Sequence, residues 1–277
     1  RFTDKSIEWI RGKAVNARRD KPFFLYLPFT SPHKPVIPLE QFRGQGKAGA
    51  YGEFMIETDH HVGRILKLLN EEKLAENTLV IFTSDNGPET TWKKRAEKFS
   101  HRSNGIYREG KRSIYEGGHR EPFVAHWPGK IKPGSVNHGV ICLNDFFATC
   151  ADILEVDLPA NAAEDSVSLL PALLGKADAP SREAIINQAS EGLAIRQGPW
   201  KYIVFRNGTR ELYNLKEDIS ETKNVAKVNA GVVDRLEKLM QGYFDRGRST
   251  PGAAQEKEFD LPFGKKSRKK QNKKNKE

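Results

Sequence analysis

An apolar run, Leu79-Val80-Ile81-Phe82, stops abruptly at Thr83-Ser84-Asp85-Asn86-Gly87. That pattern reads as a buried strand delivering a carboxylate and an amide oxygen into a turn. Both are hard oxygen donors, suited to Ca²⁺ or Mg²⁺ rather than Zn²⁺. Farther along, Glu109-Gly110-Lys111-Arg112 places a lysine on a glycine-flanked loop. An ammonium near a metal gives a tetrahedral anion a second positive point. His33 sits between two prolines in Pro32-His33-Lys34-Pro35, so its position is restrained and it could donate to a bound anion or a leaving oxygen. Each residue also has a plainer reading. Asp-Asn-Gly is a common polar turn, Lys111 is one lysine among many, and a lone histidine is most often structural. His101 and Arg102 lie in a long polar stretch, 88–110, that reads as a loop, and a loop this long in a compact domain is usually functional or disordered.

The elements that would position these residues follow from periodicity. Residues 3–19 have a helical apolar face, with Thr3-Asp4 as a possible N-cap. Phe23-Phe24-Leu25-Tyr26-Leu27 is continuously apolar, as in a strand covered on both faces of a parallel sheet. A helix over about 51–72, the strand 79–83, a strand at 122–127 and a weaker one at 136–142 follow. Asn144 or Asp145 should cap a helix to about Leu154, with Phe146, Phe147, Cys150 and Ile153 inward, and 168–174 should form a short helix. From about Pro180 the pattern changes to four short strands, 184–187, 192–196, 201–206 and 211–214, with Asn207-Gly208 as a hairpin signal. A helix over 225–242 closes this region. The expected fold class is α/β, a parallel sheet followed by a small α+β subdomain with an antiparallel sheet. The expected division is 1–178, 179–248, and a disordered basic tail over 249–277.

At 277 residues the chain can bury a full core. No apolar run is long enough for a transmembrane helix. The net charge of +10 is concentrated at the end, where eight basic residues from Lys265 to Lys276 face only Glu277. The folded part is only mildly basic, so nucleic acid is not the expected partner. Cys142 and Cys150 could pair, which spacing alone does not show, and they read first as buried free thiols or incidental. The start at Arg1, inside a helical pattern, reads as a chain whose N-terminal part lies elsewhere.

Together, Phe24-Leu25-Tyr26, Pro32-His33-x-Pro35, Thr83-Ser84-Asp85-Asn86-Gly87, Gly110-Lys111, Tyr115-Glu116-Gly117-Gly118-His119-Arg120-Glu121-Pro122 and Trp127-Pro128-Gly129 resemble the type I, arylsulfatase-like sulfatases of the alkaline phosphatase superfamily. Ala194-Ile195-Arg196-x-Gly198-x-Trp200-Lys201 and Glu211-Leu212-Tyr213-Asn214-Leu215 resemble that family's C-terminal subdomain. The resemblance implies a parallel-sheet sandwich of alkaline-phosphatase type. It implies hydrolysis of a sulfate monoester of an aryl or carbohydrate substrate, in the periplasm or outside the cell. Asp85 and Asn86 would be two ligands of Ca²⁺, with Mg²⁺ the lesser candidate. Lys111 and His33 would contact the sulfate ester; separately, from the length and position of the 88–110 loop alone, His101 and Arg102 are expected to border the pocket and help select the sulfated small molecule or glycan. The family's nucleophile is a formylglycine made from Cys or Ser in a Cys/Ser-x-Pro-x-Arg segment. This sequence has none, so the nucleophile is expected upstream and the chain as given is expected to be inactive. A phosphodiesterase or phosphatase of the same superfamily, or a non-catalytic polyanion-binding fragment, are the alternatives.

Overall fold

In a computed structural model, residues 1–176 and 182–256 are described; the expected boundary near Pro180 and the basic run 257–277 lie outside them. The chain divides into two compact units.

The first unit comprises Arg1–Thr83, Pro88–Ser103 and Pro122–Pro133. Helix α1 (Phe2–Ala17) packs Ile10 and Ala14 against Leu68 and Leu69 of α2 (Gly49–Glu71), with Leu74 completing the core. Strand β1 (Val80–Thr83) follows, then α3 (Trp92–Phe99) and β2 (Phe123–His126). Three expectations fail here. β1 and β2 pair antiparallel, Val80 opposite His126 and Thr83 opposite Phe123, not parallel. A continuous apolar run reports cover on both faces and is silent about the neighbour's direction; largely parallel sheets often include an antiparallel strand. Residues 23–27 form no ladder among the described residues. Phe23 and Leu25 pack on the helical core, whereas Phe24 and Tyr26 are 71% and 77% exposed, so the run alternates in space although not in composition. The stretch 88–110 is not all loop: α3 forms in it, with the Arg95 guanidinium 3.8 Å over the Tyr51 ring.

The second unit comprises Ser84–Gly87, Asn104–Glu121 and the chain from Gly134 on. It contains α4 (Glu116–His119), α5 (Asp145–Ile153), α6 (Leu170–Leu173) and the antiparallel meander β3 (Ile185–Ala189), β4 (Gly192–Gln197), β5 (Trp200–Phe205), β6 (Arg210–Asn214). Helix α7 (Ala230–Arg246) covers one face, burying Val233, Leu236, Met240 and Tyr243 against Leu193, Ile195, Tyr202, Val204 and Leu212. Each such large side chain contributes about 1.5–3 kcal/mol. The other face carries Ala194, Ile203 and Tyr213, which pack with Ile114, Tyr115 and Leu215. Because strand side chains alternate, Lys201 shares this second face with Ile203. The Asn207-Gly208 turn joins β5 to β6, with Gly208 at φ +87°.

The expected strand at 136–142 is absent among the described residues. Its end is recruited by α5 instead: Asp145 accepts the Cys142 N–H and the Val167 N–H, and pairs with Arg182. Phe147, expected inward, is 56% exposed, and both cysteines are free thiols. Residues 249–256, expected as the start of a disordered tail, are ordered by the buried guanidinium of Arg248, which donates to the carbonyls of Ala160, Ala162, Thr250, Pro251 and Ala253. A cluster of main-chain acceptors has no signature in composition.

Candidate functional site

The Asp85-Asn86 turn and the Lys111 loop belong to the second unit, and backbone contact joins them. Gly87 N–H donates to Gly118 O at 3.0 Å. A Cβ on Gly87 would lie 1.8 Å from Gly117 O, one on Gly117 2.3 Å from Glu109 O, and one on Gly118 2.0 Å from Ser113 O. The glycines of Asp-Asn-Gly and Glu-Gly-Gly therefore permit backbone to touch backbone where no side chain fits. Within the turn, Ser84 Oγ donates to Asn86 O and Asn86 Nδ2 donates to Gly87 O, which leaves Asn86 Oδ1 as an oxygen donor.

The lysine loop is held by its neighbours. Glu109 and Arg112, on either side of Gly110-Lys111, have φ of 59° and 76°. Left-handed backbone at a non-glycine residue costs about 1 kcal/mol or more and persists only where the surroundings over-determine it. They do so here. Arg108 donates to Glu221 O at 2.7 Å and to the Tyr213 hydroxyl, and stacks 3.7 Å over the Tyr115 ring. Ile114 N–H and Ser113 Oγ donate to Glu191, and Tyr115 donates to Glu211. Burial, then the Glu211 carboxylate, pushes Tyr115 upward, so it remains a phenol. Lys111 itself is half-buried, and among the described residues no hydrogen bond or ion pair engages its ammonium.

Beneath the loop lies a buried charge cluster that sequence reasoning missed. Lys201 Nζ donates to Glu116 Oε1 at 3.0 Å and sits 2.9 Å from Glu221 Oε1, outside hydrogen-bonding angles. Arg120 and Arg196 reach Glu116 Oε2 at 3.2 and 3.4 Å. Glu116 N–H donates to Glu221 Oε2 at 2.6 Å. Burial disfavours the Glu116 carboxylate, yet the positive charges of Lys201, His119 and Arg196 outweigh it and hold its pKa below the usual range. At Glu221 burial wins over Lys201 and the shift is upward. Burial, joined by the Lys201 charge, pushes His119 down to about 4. The available signal was a lysine inside Trp200-Lys201-Tyr202-Ile203-Val204, a strand apolar on both faces.

The turn suits a divalent cation in chemistry, though not in ligand number. Asp85 is exposed and Asn86 half-buried. Burial, and then the charge of Asp85, pushes the nearby Glu121 carboxyl up to about 7, against a hydrogen bond with Ser84. Glu121 Oε1 is buried without a hydrogen-bond partner. Two carboxylates side by side with an orphaned oxygen fit a site meant for positive charge. Ca²⁺ takes 6–8 oxygens, and among the described residues no group of three or more His, Cys, Asp or Glu could hold a metal ion. Asp85 and Asn86 are thus part of a ligand set and not the whole of one.

His33, His101 and Arg102 belong to the first unit. His33 N–H closes a turn onto Thr30 O, and neighbouring Ser31 accepts from Thr58 of α2 at 2.6 Å. His33 Nδ1 lies 2.8 Å from Lys34 O. A carbonyl only accepts, so Nδ1 carries a proton. His101 and Arg102 are both exposed, the His101 ring centroid 6.1 Å from that of Tyr51.

Comparison with known proteins identifies the family of the chain. The family described as Sulfatase matches residues 1–156, and the one described as N-sulphoglucosamine sulphohydrolase, C-terminal, matches residues 105–244. An N-acetylgalactosamine-6-O-sulfatase of Bacteroides thetaiotaomicron is 37% identical over 247 residues, covering 82% of this chain and 48% of that protein. Arylsulfatase A of Homo sapiens is 36% identical over 197 residues, covering 69% and 38%. A solved Bacteroides thetaiotaomicron structure, described under the metabolism of multiple glycosaminoglycans, aligns with TM-score 0.76 and 35% identity over 87% of this chain and 53% of that one. A Pseudoalteromonas sulfatase structure at 24% identity shares the fold, with TM-score 0.74, over 91% of this chain and 54% of that one. The fold is the α/β alkaline-phosphatase type of these structures, with an antiparallel sheet in its C-terminal subdomain. The chain spans about half the length of the N-acetylgalactosamine-6-O-sulfatase and of both solved structures. With a family match over more than half its residues, and relatives above 30% identity, the chain belongs to the sulfatase family.

Proposed function

We propose that this chain supplies the sulfate-binding lysine and part of the metal site of a sulfuric ester hydrolase that cleaves sulfate monoesters of a carbohydrate. The observation that carries this reading is Lys111: an ammonium with no partner among the described residues, on a strained loop bonded through Gly118 to the Asp85-Asn86 turn. Asp85 and Asn86 would hold Ca²⁺, with Mg²⁺ the lesser candidate, through carboxylate and amide oxygens. The metal, when bound, supplies positive charge to the sulfate oxygens. Lys111 binds those oxygens and stabilises the charge that builds on them. His33, with its proton fixed on Nδ1, is read as a hydrogen-bonding partner of the ester. That role rests on the family resemblance, and substrate selection by His101 and Arg102 on the length and position of the 88–110 stretch.

The nucleophile, a formylglycine, belongs to a segment outside this chain. The names of the relatives favour a sulfated amino sugar over a simple aryl sulfate. A periplasmic or extracellular site of action fits such polymers, and no described helix is long and apolar enough to cross a membrane. The test is sulfate release from 6-O-sulfated N-acetylgalactosamine by a protein that joins this chain to its nucleophile-bearing segment. Lys111→Ala should lower kcat/KM by about 10²–10³-fold, the usual range for losing one preorganised donor, with unchanged melting temperature. A loss under about threefold refutes the assignment, as does normal turnover by the 277-residue chain alone.

A further inference from the structure

We propose that Lys201, on β5 of the C-terminal sheet, is a positioning residue that fixes the Lys111 loop and the Asp85-Asn86 turn through the buried Glu116–Glu221 pair. The proposal rests on the sulfatase reading for its catalytic consequence and on geometry alone for its structural one. Lys201, Glu116 and Glu221 are each 0–1% exposed. Burying three charges is costly, and replacing such a cluster by apolar groups of similar volume is often neutral or stabilising. On this face of the sheet Lys201 lies opposite a second cation, Arg196, and beside Ala194, Ile203 and Tyr213. Sheet stability alone therefore gives no reason for a lysine here. What the ammonium adds is direction.

It draws the Glu116 carboxylate from the start of α4 and the Glu221 carboxylate from the segment after β6 to one point. Glu221 Oε2 in turn accepts the Glu116 N–H, so α4 is held by both its side chain and its backbone. From α4 the constraint passes outward along main-chain bonds. Gly117 N–H donates to Arg108 O, tying α4 to the strained loop, and Gly118 O accepts the Gly87 N–H, tying it to the turn. Glu109 and Arg112 retain left-handed backbone only while these ties hold. The C-terminal subdomain thereby sets the position of Lys111 without touching substrate.

Lys201→Met alone would leave the buried Glu221 carboxylate without its cation and Glu116 with only Arg120 and Arg196, and could unfold the chain. The informative variant is the triple, Lys201→Met with Glu116→Gln and Glu221→Gln, which removes the ammonium and both carboxylates together. Amide hydrogen exchange of the purified 277-residue chain is the primary readout. In the triple variant, exchange in 84–87 and 109–121 should rise at least about tenfold while β4 and β5 keep their protection. No change, or a rise shared by the whole of β3–β6, overturns the proposal. In the protein joined to its nucleophile segment, kcat should fall about 10²-fold, the cost of misplacing a reacting group by about 1 Å, with KM changed by less than about threefold. Wild-type kcat in a triple variant whose loop has loosened refutes the catalytic consequence. A wild-type protein without sulfatase activity refutes the sulfatase reading and leaves the exchange result standing.

Discussion

Gly87→Ala isolates the contact on which the site geometry depends. The new Cβ would lie 1.8 Å from Gly117 O, 2.9 Å from Gly117 C and 3.2 Å from Gly118 Cα. Ordinary contact begins near 3.4 Å, so the two segments must part by about 1.6 Å. All three neighbours are backbone, and no side chain can swing aside. Parting the segments lengthens the 3.0 Å Gly87 N–H to Gly118 O bond beyond use. Overpacking costs about 1–3 kcal/mol and the lost hydrogen bond about 1 more. A destabilisation of about 2–4 kcal/mol is expected. Gly242→Ala is the control: it lies inside α7 with nothing within 4 Å of its Cβ position, and should stabilise by roughly 0.5–1 kcal/mol. Urea unfolding of both variants, followed through the tryptophans and by far-UV circular dichroism, gives the comparison. A Gly87→Ala midpoint within about 0.5 kcal/mol of wild type would refute the argument that this contact joins turn and loop.

The charge cluster should make stability fall on acidification. His119 drops from 6.5 to about 4 on folding, so its contribution is complete above pH 6.5 and is lost as pH falls toward 4, by at most ~3 kcal/mol. Glu116, with a lowered pKa, adds loss in the same direction below 4.5; Glu221, raised, partly offsets it as pH falls. Melting temperature from pH 7 to 4.5 should therefore fall less steeply in His119→Gln, and identical slopes would exclude His119 as the cause. Arg248→Ala should cost about 3–5 kcal/mol, because it leaves a ring of buried carbonyls without donors. Arg248→Lys should recover little of that, since one ammonium cannot span them. Protease sensitivity at 156–166 and 249–256 should rise in both, and resistance equal to wild type would contradict the staple role.

The sheet β3–β6 was legible because local signals agreed there. Short strand-length runs, the Asn207-Gly208 hairpin signal and a closing helix all pointed to one antiparallel sheet. The first unit was less legible. Phe23–Leu27 and β1 are both short apolar runs, yet only β1 has a paired neighbour among the described residues. Pairing and its direction are properties of two segments, and no window on one of them contains the information. Helix α3 was missed because its polar composition, Trp92-Lys93-Lys94-Arg95-Ala96-Glu97-Lys98-Phe99, hides two anchors. Arg95 stacks on Tyr51, and Phe99 lies where Gly49 leaves room.

The site was legible as residue types and illegible as a mechanism of support. Asp85, Asn86 and Lys111 announce themselves by chemistry, but taken singly each is as well explained as a turn or a surface lysine. What separates the readings is the set of groups that hold them, and those groups look structural in sequence. Glu191 could pass for a hairpin residue, Glu221 for a solvated acid and Lys201 for a strand-end cation. In the fold, Glu191 takes the Ile114 N–H, while Glu221 and Lys201 close on Glu116. A surface lysine needs no such support. A loop with left-handed Glu109 and Arg112, tied to the sheet at Arg108, Ser113, Ile114, Tyr115 and Glu116, is being kept in a conformation it would not choose. The residue that this conformation presents is Lys111, and that is the physical reason to read it as functional.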